Sequence, residues 1–138
     1  MALITPEQGA VVDLGRVAKF LHSDLGQRIL CSPQVQKERR FTAMIPAALA
    51  APEQSQSREE VILQGAVDCT FLEGDLLHVV DFKTDRVSSM EELWDRYETQ
   101  LRLYGAAMEE VSGYRVGELI LYSTYLNRAS SKKMTEGH

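Results

Sequence analysis

The sequence predicts an α/β fold whose elements follow the order helix, three strands, helix, strand. Apolar residues recur at helical spacing in two segments, 11–32 and 89–112. Between them, segments 61–72 and 76–85 are rich in β-branched residues and are separated by Glu73-Gly74-Asp75, which predicts a tight antiparallel hairpin. The chain has 138 residues, of which 44% are hydrophobic. This length suits one domain over residues 1–138 that can bury its own core.

The N-terminal half is predicted to contain a helical region, a polar strand and a linker. Residues 11–32 form one helix or two, since Ser23 is a suitable N-cap for a second segment. The helical region ends before Pro33, because a residue that precedes proline avoids the helical conformation. Alternating residues predict a strand over 35–45. The Ala-, Pro- and Ser-rich segment 46–60 is expected to be a mobile linker.

The C-terminal half begins with a strongly signalled helix. Ser88 and Ser89 precede Glu91 and Glu92 at the spacing of two overlapping capping boxes, and Gly113 is a suitable stop. A strand is predicted over 116–125. The polar tail 127–138 is expected to be disordered, and its last residues, Glu-Gly-His, resemble the start of a purification tag.

Composition excludes several classes of protein. The net charge of −5 argues against a general nucleic-acid coat protein, whose binding surface is usually basic. The chain contains no run of eighteen apolar residues and begins with no secretory signal, so we expect a cytoplasmic protein. Its two cysteines are too few for a four-cysteine zinc or iron–sulfur site. No nucleotide-binding P-loop motif is present.

Charged residues interrupt the two apolar strands of the predicted hairpin. If Gly74 and Asp75 centre the turn, Asp68 and Asp81 each lie six residues from it and face one another. Their Cβ atoms would then be about 5 Å apart. Lys83 follows Asp81 by two residues and therefore points to the same face.

Two opposed carboxylates destabilise a half-buried sheet unless a cation neutralises them. Mg²⁺ prefers such oxygen ligands and leaves room for a substrate phosphate. Lys83 is no ligand while protonated, but it could orient or deprotonate a water molecule or hold the phosphate. The pattern predicts a site for phosphodiester hydrolysis. The alternative is that the Asp-x-Lys pattern marks an ordinary solvated strand end.

Three segments of the chain resemble the motifs of the PD-(D/E)XK nucleases of the RecB-like group. Gly65-Ala66-Val67-Asp68, Asp81-Phe82-Lys83-Thr84-Asp85 and Gln100-Leu101-Arg102-Leu103-Tyr104 resemble G-x-x-D, D-[FY]-K-T-[DN] and Q-L-x-x-Y. Upstream, the segments 23–28 and 38–41 resemble the S-x-L-G-x-R and E-x-P-F motifs of the AddA branch. Arg40 stands where that branch usually has proline.

The resemblance implies a restriction-endonuclease-like core, with a mixed four-stranded sheet flanked by helices. It also implies that Asp68 and Asp81 are metal ligands and that Lys83 is the catalytic lysine. The backbone carbonyl of Phe82 would complete the metal shell.

The resemblance further implies substrate-binding or supporting roles for Gln100, Tyr104 and Glu38. Gln100 and Tyr104 are four residues apart and so share a helix face. The alternative for this pair is an ordinary polar residue and a core aromatic. The alternative for Glu38 is a solvated glutamate on a strand.

By the same resemblance, the chain is an Mg²⁺-dependent exonuclease domain, with Mn²⁺ as the other candidate metal. It would belong to a bacterial helicase–nuclease that processes double-strand-break ends for recombinational repair. ATP would act only through helicase domains, which would deliver single-stranded DNA, and an AddB-like partner subunit is expected. The alternative is a catalytically silent module of the same fold that binds DNA or a partner subunit.

The sequence departs from this group in one respect. The upstream G-T-x-x-H motif, whose histidine would be an additional metal ligand, is absent. His22 does not lie in such a motif and is expected on a helix surface. His78, on the opposite face of its strand from Asp81, is expected to be packed in the core or at an interface. We therefore expect an excised C-terminal part of a larger helicase–nuclease, with weak metal binding and weak activity on its own.

Overall fold

The computed structural model describes residues 14–50 and 58–135. Within these ranges lie four helices and five strands. The helices are α1 (Leu14–His22), α2 (Asp24–Cys31), α3 (Ala47–Ala50) and α4 (Met90–Ser112). The strands are β1 (Val35–Pro46), β2 (Glu60–Glu73), β3 (Leu76–Lys83), β4 (Arg115–Ser123) and β5 (Arg128–Lys133). None of the helices in the described part of the chain is long and apolar enough to cross a membrane.

The five strands form one mixed sheet in the order β1-β2-β3-β4-β5. Strands β3 and β4 are parallel and are connected through α4, whereas the other neighbours are antiparallel. The predicted α/β class, the element order up to β4 and the mixed sheet are confirmed. The sheet has five strands rather than four.

Helices cover both faces of the sheet. On one face, residues of α1 and α2 pack against the sheet in a cluster that contains Phe20, Leu25, Ile29, Phe71, Val80 and Tyr122. On the other face, α4 packs over a cluster that contains Leu93, Leu101, Met108, Val79, Leu119 and Leu121. Consecutive residues of β3 alternate between the two clusters, as in any strand buried on both faces.

The helix ends follow the predicted capping residues. Ser23 separates α1 from α2, and its hydroxyl accepts a hydrogen bond from the Gly26 N–H at 3.1 Å. Ser89 is the N-cap of α4 and accepts from the Glu92 N–H at 3.2 Å. Gly113 ends α4 in the left-handed conformation, with φ of 77°.

The tail predicted to be disordered from residue 127 instead contributes β5, over Arg128–Lys133. Its sequence, Arg-Ala-Ser-Ser-Lys-Lys, has no apolar alternation, because β5 is an edge strand with largely exposed side chains. Backbone pairing with β4 holds it, together with a 2.9 Å hydrogen bond from Trp94 Nε1 to Ser130 Oγ. Residues 136–138, with the tag-like sequence, lie outside the described residues.

The segment 46–60, predicted to be a mobile linker, is partly regular. Its first residue, Pro46, ends β1, residues 47–50 form α3, and Glu60 begins β2. Residues 51–57 lie outside the described residues. The Ala47 N–H donates to the Glu59 carbonyl at 2.8 Å, which closes the base of this connection.

The β1–β2 ribbon changes face at Glu38. Lys37 pairs with Cys69 and Arg39 with Val67, so Glu38 lies across from Asp68. Cys69 packs with α1 and α2, whereas Val67 packs with α4, although regular alternation would place both on one face. Glu38 has a φ of 50°, a left-handed conformation that a glutamate seldom adopts. This backbone irregularity lies next to the candidate site.

Candidate active site

The β2–β3 hairpin brings Asp68 and Asp81 together. Cys69 pairs with Val80, and the next position in the same register faces Asp68 with Asp81. The Asp81 carboxyl group hydrogen-bonds to Asp68, and the Phe82 N–H donates to Asp68 Oδ2 at 2.8 Å. The register expected from the turn is therefore the one observed.

Lys83 closes this group on the face that α4 covers. Its Nζ lies 2.9 Å from Asp81 Oδ2. The side chains are only 17% and 12% exposed, so water screens the ion pair less than it would on an open surface. Two carboxylates and one ammonium thus share a sheltered position at the end of the hairpin strands.

The environment of Asp81 opposes its ionisation. Burial of the carboxyl group raises its pKa to about 7, and the hydrogen bond from Asp81 to Asp68 acts in the same direction. Lys83 acts in the opposite direction but does not cancel the effect. Near neutral pH the two aspartates of the metal-free domain therefore hold a proton between them. A divalent cation between the carboxylates would replace that proton.

A second layer of polar contacts holds Lys83 from the side of α4. The Lys83 ammonium lies 3.9 Å from the centroid of the Tyr97 ring. The Tyr97 hydroxyl donates to Asp85 Oδ2 at 2.9 Å, and Arg96 Nη1 lies 2.9 Å from the same oxygen. The Tyr97 hydrogen bond is the main reason that the pKa of Asp85 is lowered. Asp85 and Arg96 thereby fix the ring against which Lys83 lies.

No pattern in the sequence indicates that Tyr97 contacts Lys83. Tyr97 belongs to the apolar stripe of α4 and is expected from the pattern to face the core. The one signal that could have pointed to it is its position seven residues before Tyr104, which places both on the same side of the helix.

Tyr104 reaches the sheet at Gly65, the first residue of the G-x-x-D motif. Its ring packs edge to face with Phe41, with centroids 5.2 Å apart. A Cβ atom at Gly65 would lie 3.0 Å from Phe41 Cζ and 3.1 Å from the Tyr104 hydroxyl oxygen. Glycine at position 65 thus lets Tyr104 lie against β2, three residues before Asp68.

The structure does not join the remaining predicted residues to the carboxylates. Gln100 is exposed. Within the described residues, no hydrogen bond or ion pair connects Gln100 or Tyr104 to Asp68, Asp81 or Lys83. Glu38 is also exposed, although it occupies the position across from Asp68.

A second acidic cluster lies at the other end of the hairpin. The ligand atoms of Glu73, His78 and Glu118 are within 4.8 Å of one another. Arg28 already neutralises them, with Nη2 2.7 Å from Glu73 Oε1 and 2.6 Å from Glu118 Oε2. His78 Nδ1 accepts from the Glu118 N–H at 3.0 Å, which leaves Nε2 to donate to Glu73. The cluster is therefore a clamp between α2, the hairpin and β4.

His78 itself is buried, as predicted, with 3% of its surface exposed. Burial lowers its pKa and favours the neutral ring. Arg28 occupies the last position of the S-x-L-G-x-R segment. Within that segment, a Cβ atom at Gly26 would collide with the Phe20 carbonyl oxygen. The segment thus serves to dock α2 onto the sheet.

A hairpin that carries two carboxylates and a lysine, on a mixed sheet between helices, has the form of a metal-dependent nuclease centre. Residues 8–136 match the family model of the PD-(D/E)XK nuclease superfamily, and the chain belongs to that superfamily.

Several curated proteins, each named as the A-type member of an ATP-dependent helicase/nuclease, are similar to this chain. The protein of Syntrophomonas wolfei is 39% identical over 129 residues, covering 92% of this chain and 10% of the relative. That of Clostridium botulinum is 39% identical over 122 residues, covering 86% and 10%. That of Acetivibrio thermocellus is 37% identical over 125 residues, covering 87% and 10%. The chain thus spans about a tenth of the length of these relatives.

Proposed function

We propose that this chain hydrolyses DNA phosphodiester bonds with the aid of Mg²⁺ or Mn²⁺. The observation that carries the proposal is the cluster of Asp68, Asp81 and Lys83, in which two carboxylates share a sheltered position with one ammonium. Such an arrangement of oxygen ligands suits a hard divalent cation that also contacts a substrate phosphate.

The donor set fits a metal ion in its chemistry. Asp68 and Asp81 supply adjacent oxygens, and the proton that they share at neutral pH marks the place of a missing positive charge. The Phe82 peptide lies beside Asp68 through its N–H, and we propose its carbonyl as a further ligand. When bound, the metal would supply charge that stabilises the negative charge developing on the phosphate.

The other residues act around that position. Lys83 is paired with Asp81 in the metal-free domain, and a cation that takes over the carboxylate would release the ammonium toward the substrate. There Lys83 would orient the attacking water or hold the attacked phosphate. Gln100, Tyr104 and Glu38 are proposed to contact or support the DNA strand around this position.

The wider assignment rests on the relatives. We propose that the chain is the C-terminal nuclease domain of a bacterial cytoplasmic helicase–nuclease that processes double-strand-break ends for recombinational repair. ATP would be used by the helicase part, which would deliver single strands to Asp68 and Asp81, and a second, AddB-like subunit would be the partner. Without the upstream histidine motif, the 138-residue chain is proposed to bind metal weakly and to cleave slowly.

Cleavage of single-stranded DNA in Mg²⁺ or Mn²⁺ tests the proposal. We expect Asp81→Asn and Lys83→Ala each to lower the rate by about a hundredfold or more, because each removes charge from the reacting centre. The matched control is Asp75→Asn, which removes an exposed acid from the turn of the same hairpin. The experiment is run both on this chain and on the longer polypeptide that contains it. Undiminished cleavage by both site variants would refute the site.

The same assay decides between catalysis and a silent module. A module that only binds DNA or a partner subunit would cleave no faster with metal than in EDTA. Its Asp81→Asn variant would behave as the wild type does.

A further inference from the structure

A cavity of about 190 Å³ lies between the C-terminal end of α4 and strands β1 to β3. It is on the face of the sheet that α4 covers, which is also the face of Asp81 and Lys83. Its walls combine amides, hydroxyls, one cation, one aromatic ring and apolar side chains, and they include Gln36, Arg39, Thr70, Leu77, Ser112 and Tyr114.

The Thr70 hydroxyl group lines this cavity without a partner. Thr70 is 1% exposed, and within the described residues its Oγ1 makes no hydrogen bond. Buried hydroxyl groups are nearly always hydrogen-bonded, because water is otherwise lost without replacement. The unpaired hydroxyl at the cavity wall therefore indicates a polar ligand.

The cavity adjoins the candidate active site. Thr70 follows Asp68 by two residues on β2, a separation of about 7 Å along a strand. Gln36 is the β1 partner of Thr70. Because the ribbon changes face at Glu38, Arg39 lies on the same side as Gln36 and also lines the cavity. A DNA strand that crosses Asp68 and Asp81 would also reach this cavity.

The chemistry of the walls suits an unpaired nucleotide. Amide and hydroxyl groups both donate and accept hydrogen bonds, as the edges of bases require, and Tyr114 and Leu77 offer surface for a base face. Arg39 makes no ion pair within the described part of the chain and is free to meet a phosphate. We propose that the cavity binds one unpaired nucleotide of the DNA strand, with the base inside and its phosphate at Arg39. This inference rests on the proposed nuclease function and names a subsite of it.

Binding is tested without metal, so that no cleavage occurs. The ¹⁵N-labelled chain is titrated with the thymidine trinucleotide dT3 in EDTA, and amide chemical shifts are followed. We expect the largest shifts at Thr70, Gln36 and Ser112. Arg39→Gln should weaken binding about five- to tenfold, which is typical of losing one charge-assisted contact. The matched control is Arg40→Gln, the exposed neighbour on β1, which should change binding less than about twofold.

The Thr70→Val variant tests the hydroxyl separately. Valine has nearly the same shape, so the variant should unfold at no lower temperature than the wild type, while dT3 binding should weaken about three- to tenfold. A trinucleotide with an abasic central sugar should bind about as weakly to the wild type as dT3 does to Thr70→Val.

Three results would overturn the subsite. They are shifts confined to other surfaces, equal losses in Arg39→Gln and Arg40→Gln, and equal binding of the abasic trinucleotide. The outcome is separable from that of the nuclease proposal. Metal-dependent cleavage that is lost in Asp81→Asn, without binding at Thr70, rejects only the subsite. Binding at Thr70 without any cleavage rejects only the nuclease.

Discussion

The Lys83 ammonium group lies between the Asp81 carboxylate and the face of the Tyr97 ring. It is 2.9 Å from Asp81 Oδ2 and 3.9 Å from the ring centroid. A metal ion bound to Asp81 would weaken the first contact and leave the second, so Tyr97 would then hold Lys83 in place. The ring itself is fixed by its hydroxyl, which donates to Asp85.

Replacement of Tyr97 should therefore affect catalysis through Lys83. We expect Tyr97→Leu to lower the maximal cleavage rate about five- to thirtyfold, the effect of losing a sheltered cation–π contact. Tyr97→Phe keeps the ring and should retain most of the rate. The measurement is the rate at saturating DNA, with the metal concentration for half-maximal activity as a control. Equal losses in both variants would contradict the role of the ring.

The stability of the metal-free domain should depend on the ionisation of Asp81. Folding raises the pKa of this carboxyl group from 3.8 to about 7, so its contribution to stability is complete below pH 4 and is lost as the pH rises through 7. We expect Asp81→Asn to be more stable than the wild type at pH 8, by about 1–4 kcal/mol, and to differ less at pH 5. Urea unfolding in EDTA at the two pH values measures this difference.

Metal should reverse the same effect. Mg²⁺ competes with the proton for the two carboxylates, so it should raise the melting temperature of the wild type more at pH 8 than at pH 5.5. The Asp81→Asn variant should respond little at either pH. An equal response of both proteins would place the bound metal elsewhere.

A methyl group at Gly65 should disturb the packing of Tyr104. The added Cβ atom would lie closer to Phe41 and to the Tyr104 hydroxyl than ordinary van der Waals contact allows. We expect Gly65→Ala to lower the free energy of unfolding by about 1–3 kcal/mol, the usual cost of overpacking. Chemical denaturation measures it, with Ala66→Ser at the exposed neighbouring position as the control. An unchanged stability would mean that Tyr104 moves aside freely.

Loss of Arg28 should destabilise the clamp at the turn end of the hairpin. The Arg28 hydrogen bond is the main cause of the lowered pKa of Glu73, whose contribution to stability is present above the usual glutamate pKa and lost as the pH falls below it. Arg28→Gln should cost about 1–2 kcal/mol at pH 7, a modest figure because the Glu73 side chain is 38% exposed. The cost should shrink toward pH 4. Melting curves at both pH values, compared with Arg40→Gln, check this.

Much of the fold follows from local patterns. The capping residues Ser23 and Ser89 and the stop at Gly113 lie where their chemistry requires, because a helix end is satisfied by residues within one turn of it. The turn at Gly74 and Asp75 was also enough to place Asp68 opposite Asp81, since a short turn sets the register of its hairpin.

Strand β5 shows where pattern reading fails. Arg128–Lys133 carries no apolar face, and its pairing with β4 is held by backbone hydrogen bonds that any sequence without proline can make. A polar edge strand and a polar disordered tail look alike until the neighbouring edge of the sheet is known.

The sequence by itself determined the order of the elements, the family motifs and the opposed pair Asp68 and Asp81, because each depends on residues close together along the chain. Only the tertiary structure decided that the ring of Tyr97 faces Lys83, that the ribbon changes face at Glu38, and that an unpaired Thr70 hydroxyl lines a cavity beside the carboxylates. These relationships join elements distant in sequence. They depend on how α4 packs across the sheet and how the ribbon twists, and residue spacing carries no record of either.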